Sequence, residues 1–418
     1  MKKETLIRAD CFPLSAQSIP NSILSVLERF DRAEYEAYCV GGCVRDLLRG
    51  VAPHDWDLCT AASPDEVLAL FSDVPCLTVG LKHGTVTVLW DGSPVEITTY
   101  RCEGDYLCHR SPSSVTFTRS LREDCVRRDF TVNAIAYHPG RGLRDFFGGQ
   151  ADLQNGVLRC VGDAHTRLTE DALRILRALR FSSVLGFSIH PDTDRAIKEC
   201  APTLVHISGE RIVAELKKLL AGENAAAVLS DYADVIAVFL PPLSACGNPT
   251  GKSALQHAFS LCKAPQARLS ACLCISGICA SDTARHTLSA LPFDNAFTDA
   301  VCALTEEAAA PPPTSMPAVR RALKRMSAST FEAGLLLHCA LFPADADSAA
   351  HAHALCRTAI EDGLATRISH LAINGRDLSA LGLRGKEIGR TLDRLLDAVI
   401  DGEIENTRQA LLKRASRQ

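Results

Sequence analysis

The chain changes its hydrophobic period once, and that change limits what it can fold into. Up to about residue 147, short runs of β-branched and aromatic residues alternate with helical segments; from Leu168 onward, apolar residues recur at helical spacing. The pattern predicts an α+β protein: an N-terminal head with a mixed sheet and helices, followed by an all-helical remainder. At 418 residues the chain is too long for a single core. Ala308 to Thr314, with three consecutive prolines, cannot continue a helix and marks a joint.

Within the head, Glu36 to Val40 reads as a strand, Gly41-Gly42 as a tight turn, Cys43 to Leu48 as a helix and Trp56 to Cys59 as a second strand. Ser63-Pro64-Asp65-Glu66 is a helix start, with a Ser cap, Pro in the first turn and acids beside it. Further strands are expected at Cys76 to Gly80, Thr85 to Trp90 and Val95 to Tyr100, with His83-Gly84 and Asp91-Gly92 as turns.

Charge and cysteine usage narrow the function classes. A net charge of -4 provides no global positive field, so any nucleic-acid contact must rest on a local basic face. The 18 cysteines are scattered without a CxxC pair and read as reduced, mostly buried small hydrophobes of a cytosolic (cytoplasmic) protein. Neither an N-terminal apolar leader nor a run of 18 apolar residues occurs, so secretion and membrane spanning are not expected.

The stretch "CVGGCVRDLLRGVAPHDWDLCT" at 39–60 concentrates the candidate chemistry. On a strand, residues i and i+2 share a face, so Asp55 and Asp57 can present two carboxylates about 6 to 7 Å apart. Two hard oxygen ligands suit Mg²⁺, which keeps open positions for substrate phosphates. Taken alone, the pair reads more readily as a solvated strand edge. Gly41 and Gly42 add a close backbone approach and helix N–H groups for an anion, and Arg45 adds a guanidinium for phosphate. Glu96, inside the β-branched run "SPVEITTYR", either completes a two-metal arrangement or is the polar position of an amphipathic strand.

Six ordered segments carry a family resemblance. "GGCVRD" with "HDWDLCT", then "RRDFTVNAIA", "GGQADLQNGVLR", "EDALRILRALRF" and "GERIVAELKKLL", resemble the successive motifs of class II tRNA nucleotidyltransferases, the CCA-adding enzymes related to bacterial poly(A) polymerases. The final segment, "HLAINGRDLSALGLRGKEIGRTLDRLLDAVIDGEIENTRQALL", resembles the C-terminal signature of the compact Gram-positive type. The resemblance implies a polymerase-β-like nucleotidyltransferase head over 1–147 and a helical neck for base recognition over 148–230. A helical body over 231–315 and a helical, tRNA-binding tail over 316–418 would follow.

The resemblance implies transfer of nucleotides from CTP and ATP to the 3′ end of tRNA with Mg²⁺. Asp55 and Asp57 are then the metal ligands, with Glu96 the third catalytic carboxylate. Gly42 and Arg45 match triphosphate-contacting positions; Arg128, Asp129 and Asn133 match the nucleotide-binding motif. Asp171 and Arg174 occupy the positions that read the incoming base, and Arg177 and Arg180 those that contact nucleotide or phosphate. By periodicity alone, Asp171, Arg174, Arg177 and Arg180 step around one half of a helix and Ala172, Ile175, Leu176 and Leu179 group on the other, which makes the charged half a surface or a cleft wall.

Three further expectations follow. The loop from Tyr100 to Asp129 resembles the family's flexible specificity-switching loop, with Glu103-Gly104 and Cys108-His109 replacing Asp-Gly pairs while Tyr106, Arg110 and Pro112 stay in place. In the body, Cys274-Ile275 stands where related phosphohydrolase domains carry His-Asp, so no metal-dependent phosphatase is expected and His257 reads as structural. In the tail, Lys386, Arg390, Arg394, Arg408, Lys413 and Arg414 are candidate tRNA phosphate contacts, a salt-bridged helical surface being the equal alternative. Competing with full CCA addition are a poly(A) polymerase, a partial CC-adding or A-adding enzyme, and a catalytically inactive tRNA-binding protein.

Overall fold

The computed structural model describes residues 18–104, 106–107, 111–112 and 114–416. Its backbone divides into two compact units between Asn224 and Ala225.

The first unit opens with α1 (Asn21–Arg32), whose Ile23, Val26, Leu27 and Phe30 repeat at helical spacing and are all buried. Next come β1 (Ala37–Val40), α2 (Gly42–Leu48), β2 (Asp57–Thr60), α3 (Pro64–Leu70), β3 (Cys76–Leu77), β4 (Thr85–Trp90) and β5 (Ser93–Thr99). Helix α3 starts where its caps dictate: Ser63 Oγ accepts the Glu66 N–H at 3.3 Å and Glu66 Oε2 accepts the Ser63 N–H at 2.6 Å. A reciprocal cap of this kind is worth about 1 kcal/mol.

Short strands β6 (Arg101–Glu103), β7 (Tyr106–Leu107), β8 (Ser111–Pro112) and β9 (Val115–Phe117) precede α4 (Leu121–Val126), β10 (Ile135–His138), β11 (Gly142–Asp145) and α5 (Gly149–Gln154). Helix α5 approaches the chain so closely that a Cβ on Gly149 would lie 2.2 Å from the Thr131 carbonyl oxygen. Only glycine fits there.

The sheet order is β11-β10-β1-β2-β5-β4-β3. Strands β2 and β5 run parallel, which sets Asp57 directly beside Glu96, and the other pairings are antiparallel. All four residues of β1 are buried, because helices and loops cover both faces of the sheet. Ala37 and Cys39 join the core that contains Phe30, Phe71 and Ile97, while Tyr38 and Val40 join the core of Tyr100, Leu121 and Cys125. Each fully buried large side chain here stabilises the fold by about 1.5–3 kcal/mol. A charge placed at any one position of β1 would enter one of these two cores.

The first unit ends with β12 (Val157–Leu158), α6 (Ala164–Glu170), α7 (Leu173–Leu185), β13 (Ser188–Ile189), α8 (Pro191–Cys200) and α9 (Gly209–Ala221). Two readings of the sequence are corrected here. The run expected over Cys76 to Gly80 pairs only through Leu77, since Gly80 enters a turn whose carbonyl oxygen accepts from His83 and Thr85. The segment after Leu168 is not wholly helical: β13 pairs in parallel with β12, Val157 opposite Ser188 and Leu158 opposite Ile189.

The second unit is helical among the described residues. The proline joint is a break between the helices Asn295–Ala309 and Met316–Arg325. Buried Arg320 donates to the carbonyl oxygens of Ala365 at 2.8 Å and Val399 at 3.1 Å, the second tying it to the C-terminal end of the helix Lys386–Ile400. A cation there satisfies carbonyl groups that the helix leaves open. No helix of the described residues is long and apolar enough to cross a membrane. The described cysteines are all free thiols.

Candidate active site

The end of β1 places the first part of the site. Gly41 has φ +81°, a backbone state that L side chains rarely adopt, and a Cβ there would lie 3.6 Å from Arg128 Nη1 and 4.0 Å from Asp57 Oδ2. The turn thus brings backbone, carboxylate and guanidinium together. Helix α2 begins at Gly42, and no side chain caps it.

Only Asp57 belongs to β2; Asp55 lies in the irregular chain ahead of it, so the shared-face argument holds for one of the two. On β5, Val95, Ile97 and Thr99 point inward, and Glu96 takes the exposed side beside Asp57. Although Asp57 is exposed as a residue, its carboxyl group is partly desolvated. Desolvation, then the neighbouring Glu96 and Asp55 carboxylates, push its pKa up, against the opposing pull of Arg128. Hard oxygen donors with mutually repelling charge fit a divalent cation. Among the described residues, however, no three Asp, Glu, His or Cys side chains are gathered closely enough to hold a metal.

Arg128 adjoins this acidic edge and belongs to a set of arginines, each held by a carboxylate. Arg45 is buried; its Nε and Nη2 donate to the two oxygens of Asp46 at 3.0 and 2.9 Å, and its Nη1 donates to Asn133 Oδ1 at 2.8 Å. Asn133 Nδ2 donates in turn to Asp129 Oδ1 at 3.1 Å. Asp129 Oδ2 accepts Nε and Nη2 of Arg177 at 2.8 and 2.6 Å. Burial raises the pKa of Asp129, but the Arg177 guanidinium and the Asn133 amide overcome it and hold the carboxyl below the usual range. One hydrogen-bonded chain therefore runs from α2 through the Asp129–Asn133 turn to α7.

Arg128 is fixed by a residue that the sequence reading did not single out. Asp124, fully buried on α4, accepts Arg127 Nη2 at 2.7 Å and Arg128 Nη2 at 3.0 Å. Its signal was present in the spacing: three and four residues separate it from the two arginines, one turn of helix.

Helix α7 starts later than the helical reading implies. Asp171 ends α6 in an extended conformation just ahead of α7, with Oδ1 accepting the Leu173 N–H at 3.1 Å and Oδ2 accepting Arg211 Nη2 at 3.0 Å. Arg174 is buried rather than on a cleft wall, donating to Glu170 Oε2 at 2.6 Å and to the carbonyl oxygens of Arg167 at 2.8 Å and Arg127 at 2.9 Å. Arg177 and Arg180 are half-buried, and Arg180 pairs with Glu215 at 2.8 Å. Burial lowers the pKa of Arg180 first, Glu215 opposing it. Arg211 and Glu215, one turn apart on α9, thus hold both ends of the charged row and were also missed. Their i, i+4 spacing in "GERIVAELKKLL" was the available signal.

Of the residues singled out between Tyr100 and Asp129, Cys108, His109 and Arg110 lie outside the described residues. In the second unit His257 is exposed on the helix Pro249–Leu261 instead of packed in a core, and the Cys274 thiol lies 3.7 Å from the Thr305 carbonyl oxygen. All six tail cations are exposed. Arg408 pairs with Asp377 at 2.6 Å and Arg414 with Glu403 at 3.1 Å, whereas Arg390 and Arg394 line a cavity of about 840 Å³.

Comparison with known proteins gives this geometry a relationship. Residues 37–159 match a family model described as the poly A polymerase head domain, residues 186–240 a probable RNA and SrmB-binding site of polymerase A, and residues 266–415 a putative tRNA nucleotidyltransferase domain 2. A CCA-adding enzyme of Geobacillus thermodenitrificans is 50% identical over 225 residues, 54% of this chain and 55% of that protein. One of Staphylococcus haemolyticus is 46% identical over 204 residues, 49% of this chain and 50% of its own length. The chain thus spans about half the length of the curated relatives it matches.

A solved structure reaches further: the Bacillus stearothermophilus CCA-adding enzyme in complex with CTP superposes with a TM-score of 0.73 at 31% identity, over 95% of this chain and 96% of that one. With that extent of likeness, the chain belongs to the CCA-adding enzyme family of tRNA nucleotidyltransferases.

Proposed function

We propose that this chain adds C, C and A in order to the 3′ end of tRNA, taking CTP and ATP, releasing diphosphate and using no nucleic-acid template. The observation that carries the reading is the hydrogen-bonded chain Arg45–Asn133–Asp129–Arg177, which couples the glycine turn beside Asp57 to the helix that Asp171 precedes. A phosphate end and a base end are thereby held at fixed separation. The likeness to an enzyme solved with CTP supports the same assignment.

In this reading Gly42 and Arg45 receive the triphosphate, and Arg128, Arg177 and Arg180 supply further guanidinium N–H donors to its oxygens. Asp129 and Asn133 orient Arg177 and Arg45 and face the ribose. Asp171 accepts from the exocyclic amine of C or A, since a carboxylate offers about four acceptor sites and two are in use. Arg174 matches the second base-reading position, and its bonds to Glu170 and to the Arg167 and Arg127 carbonyl oxygens must yield in part for it to donate to the ring acceptors of the same bases. U and G present an oxygen where that amine would be, and two acceptors then oppose each other.

Family membership implies dependence on a divalent metal ion; Mg²⁺ suits the oxygen donors of Asp55 and Asp57, and Glu96, beside Asp57 on the neighbouring strand, is the third catalytic carboxylate. The chemistry it supplies when bound is a lowered pKa for the attacking 3′-hydroxyl and neutralisation of the leaving diphosphate. The division of labour is head 1–147, neck 148–230, body 231–315 and tail 316–418. Lys386, Arg390, Arg394, Arg408, Lys413 and Arg414 of the tail contact tRNA phosphates, in a cytoplasmic setting.

The test is product sequence. Purified protein, tRNA lacking its last three nucleotides, Mg²⁺ and both nucleotides should yield C-C-A. Long runs of A identify a poly(A) polymerase, arrest after CC or addition of A alone a partial enzyme, and tRNA binding without incorporation an inactive binding protein.

A further inference from the structure

Phe181 is the residue on which the arginine set converges. The ring is buried, 7% exposed, at the end of the charged row of α7. The Arg180 guanidinium carbon lies 3.9 Å from its centroid, that of Arg45 5.3 Å and that of Arg177 5.4 Å. Three cations drawn from two helices thus share one aromatic ring. Phe130 braces it edge-on, with centroids 5.8 Å apart and an interplanar angle of 83°.

Each of these guanidiniums also has a carboxylate or carboxylates at hand, but the two kinds of partner act differently. A carboxylate holds an arginine by occupying its N–H groups, as Asp46 and Asp129 do for Arg45 and Arg177. An aromatic face attracts the same cation through its quadrupole and occupies none of them. It offsets the mutual repulsion of three neighbouring positive charges and leaves N–H donors for an incoming anion. A leucine of similar bulk would fill the space without that attraction.

We infer that Phe181 is a positioning residue that holds Arg45, Arg177 and Arg180 in place for the triphosphate of the incoming nucleotide. The inference rests on the nucleotidyl-transfer reading and deepens it. Because the triphosphate is common to CTP and ATP, the effect is independent of the base.

The experiment compares the full chain with Phe181→Leu and Phe181→Tyr at a temperature where all three are folded. Phe181→Leu should raise KM for CTP and for ATP by the same factor, about 5- to 30-fold, and leave KM for tRNA unchanged. Phe181→Tyr should restore both. Equal KM values in wild type and Phe181→Leu overturn the inference, as does a shift in one nucleotide alone; a fall in Tm and kcat with KM unchanged assigns Phe181 to packing only. Calorimetric binding of inorganic tripolyphosphate separates the two levels. Binding by wild type that Phe181→Leu loses, with no incorporation by wild type, refutes nucleotidyl transfer and keeps the positioning role; incorporation by wild type with unaltered tripolyphosphate binding in Phe181→Leu does the reverse.

Discussion

Replacing Asp124 by alanine should cost the first unit several kcal/mol of stability. Its carboxylate is fully buried and shared by Arg127 and Arg128, whose side chains are only 16% and 18% exposed. Burial alone would raise the Asp124 pKa, yet Arg128 and Arg127 bring it below the ordinary 3.8, so the ion pairs outweigh desolvation. Asp124→Ala leaves two largely desolvated guanidiniums without their shared partner, and breaking buried pairs of this kind costs about 3–5 kcal/mol. For a folding unit of this size each kcal/mol shifts Tm by about 2–4 °C, which gives a fall of roughly 6–20 °C. Arg128, no longer anchored beside Gly41 and Asp57, should also lose its contribution to nucleotide binding.

The assay is differential scanning calorimetry with CTP incorporation, run on Asp124→Ala and the near-isosteric Asp124→Asn. The asparagine keeps one acceptor and should lose less. pH provides an independent reading: a carboxyl with a depressed folded pKa contributes stability that is whole above the unfolded value of 3.8 and is lost as pH falls through the folded value. Wild type should therefore lose stability in acid more steeply than Asp124→Asn. A Tm for Asp124→Ala within about 2 °C of wild type would refute the reasoning, because it would mean that Arg127 and Arg128 do not depend on this carboxylate.

Other perturbations separate catalysis from folding. Asp57→Asn removes a charge that Glu96 and Asp55 repel, so Tm should hold or rise while incorporation falls on the order of 10³-fold; equal incorporation would displace Asp57 from the metal site. Glu215→Gln strips Arg180 of its partner at 2.8 Å and should lower Tm by several degrees with nucleotide KM raised, whereas an unchanged melt would show the pair to be incidental. His138 has its pKa lowered, burial being the main cause, and the Gly140 N–H donates to its Nδ1 at 3.0 Å, which keeps the neutral ring with Nε2 toward Asp31. The unfolded chain takes up the proton more readily, so this contribution is whole above pH 6.5 and is lost as pH falls through the folded value; urea titrations should show a shallower loss in His138→Gln over that window.

Local grammar was readable and distant pairing was not. The Ser63-Pro64 start, the strand Thr85–Trp90 and the break at the prolines of 311–313 appear where short-range rules put them, because capping, alternation and the missing proline N–H act within a few residues. Errors arose where a side chain overrode the period. Asp171 fits the helical row by spacing, but its carboxylate accepts the Leu173 N–H and so ends the preceding chain rather than continuing it. Strand β13 was invisible because two residues cannot show alternation; only its partner Val157–Leu158 makes it a strand. At the site, Arg45 and Asn133 are 88 residues apart and Arg177 and Asp129 are 48 apart, so their hydrogen bonds have no local signature. Motif order pointed to the residues, while the bonds among them required the fold.

The pairing of every arginine in this set with a carboxylate explains how so much positive charge is tolerated in a chain of net charge -4. Arg45 has Asp46, Arg128 has Asp124, Arg174 has Glu170, Arg177 has Asp129 and Arg180 has Glu215. An unpaired guanidinium at such burial would cost several kcal/mol, so the carboxylates are a condition of folding. They also set the terms of binding. Global steering is absent, and a polyanion must succeed by local geometry. Arg177 directs both of its bonds at a single oxygen of Asp129, which keeps the rest of that guanidinium directed elsewhere. A ligand with one negative charge gains little from such a site, because each arginine is already neutralised by a partner at hydrogen-bond distance. One with several phosphate oxygens can bridge neighbouring arginines at once, and the cost of bringing them together has already been met in the folded state.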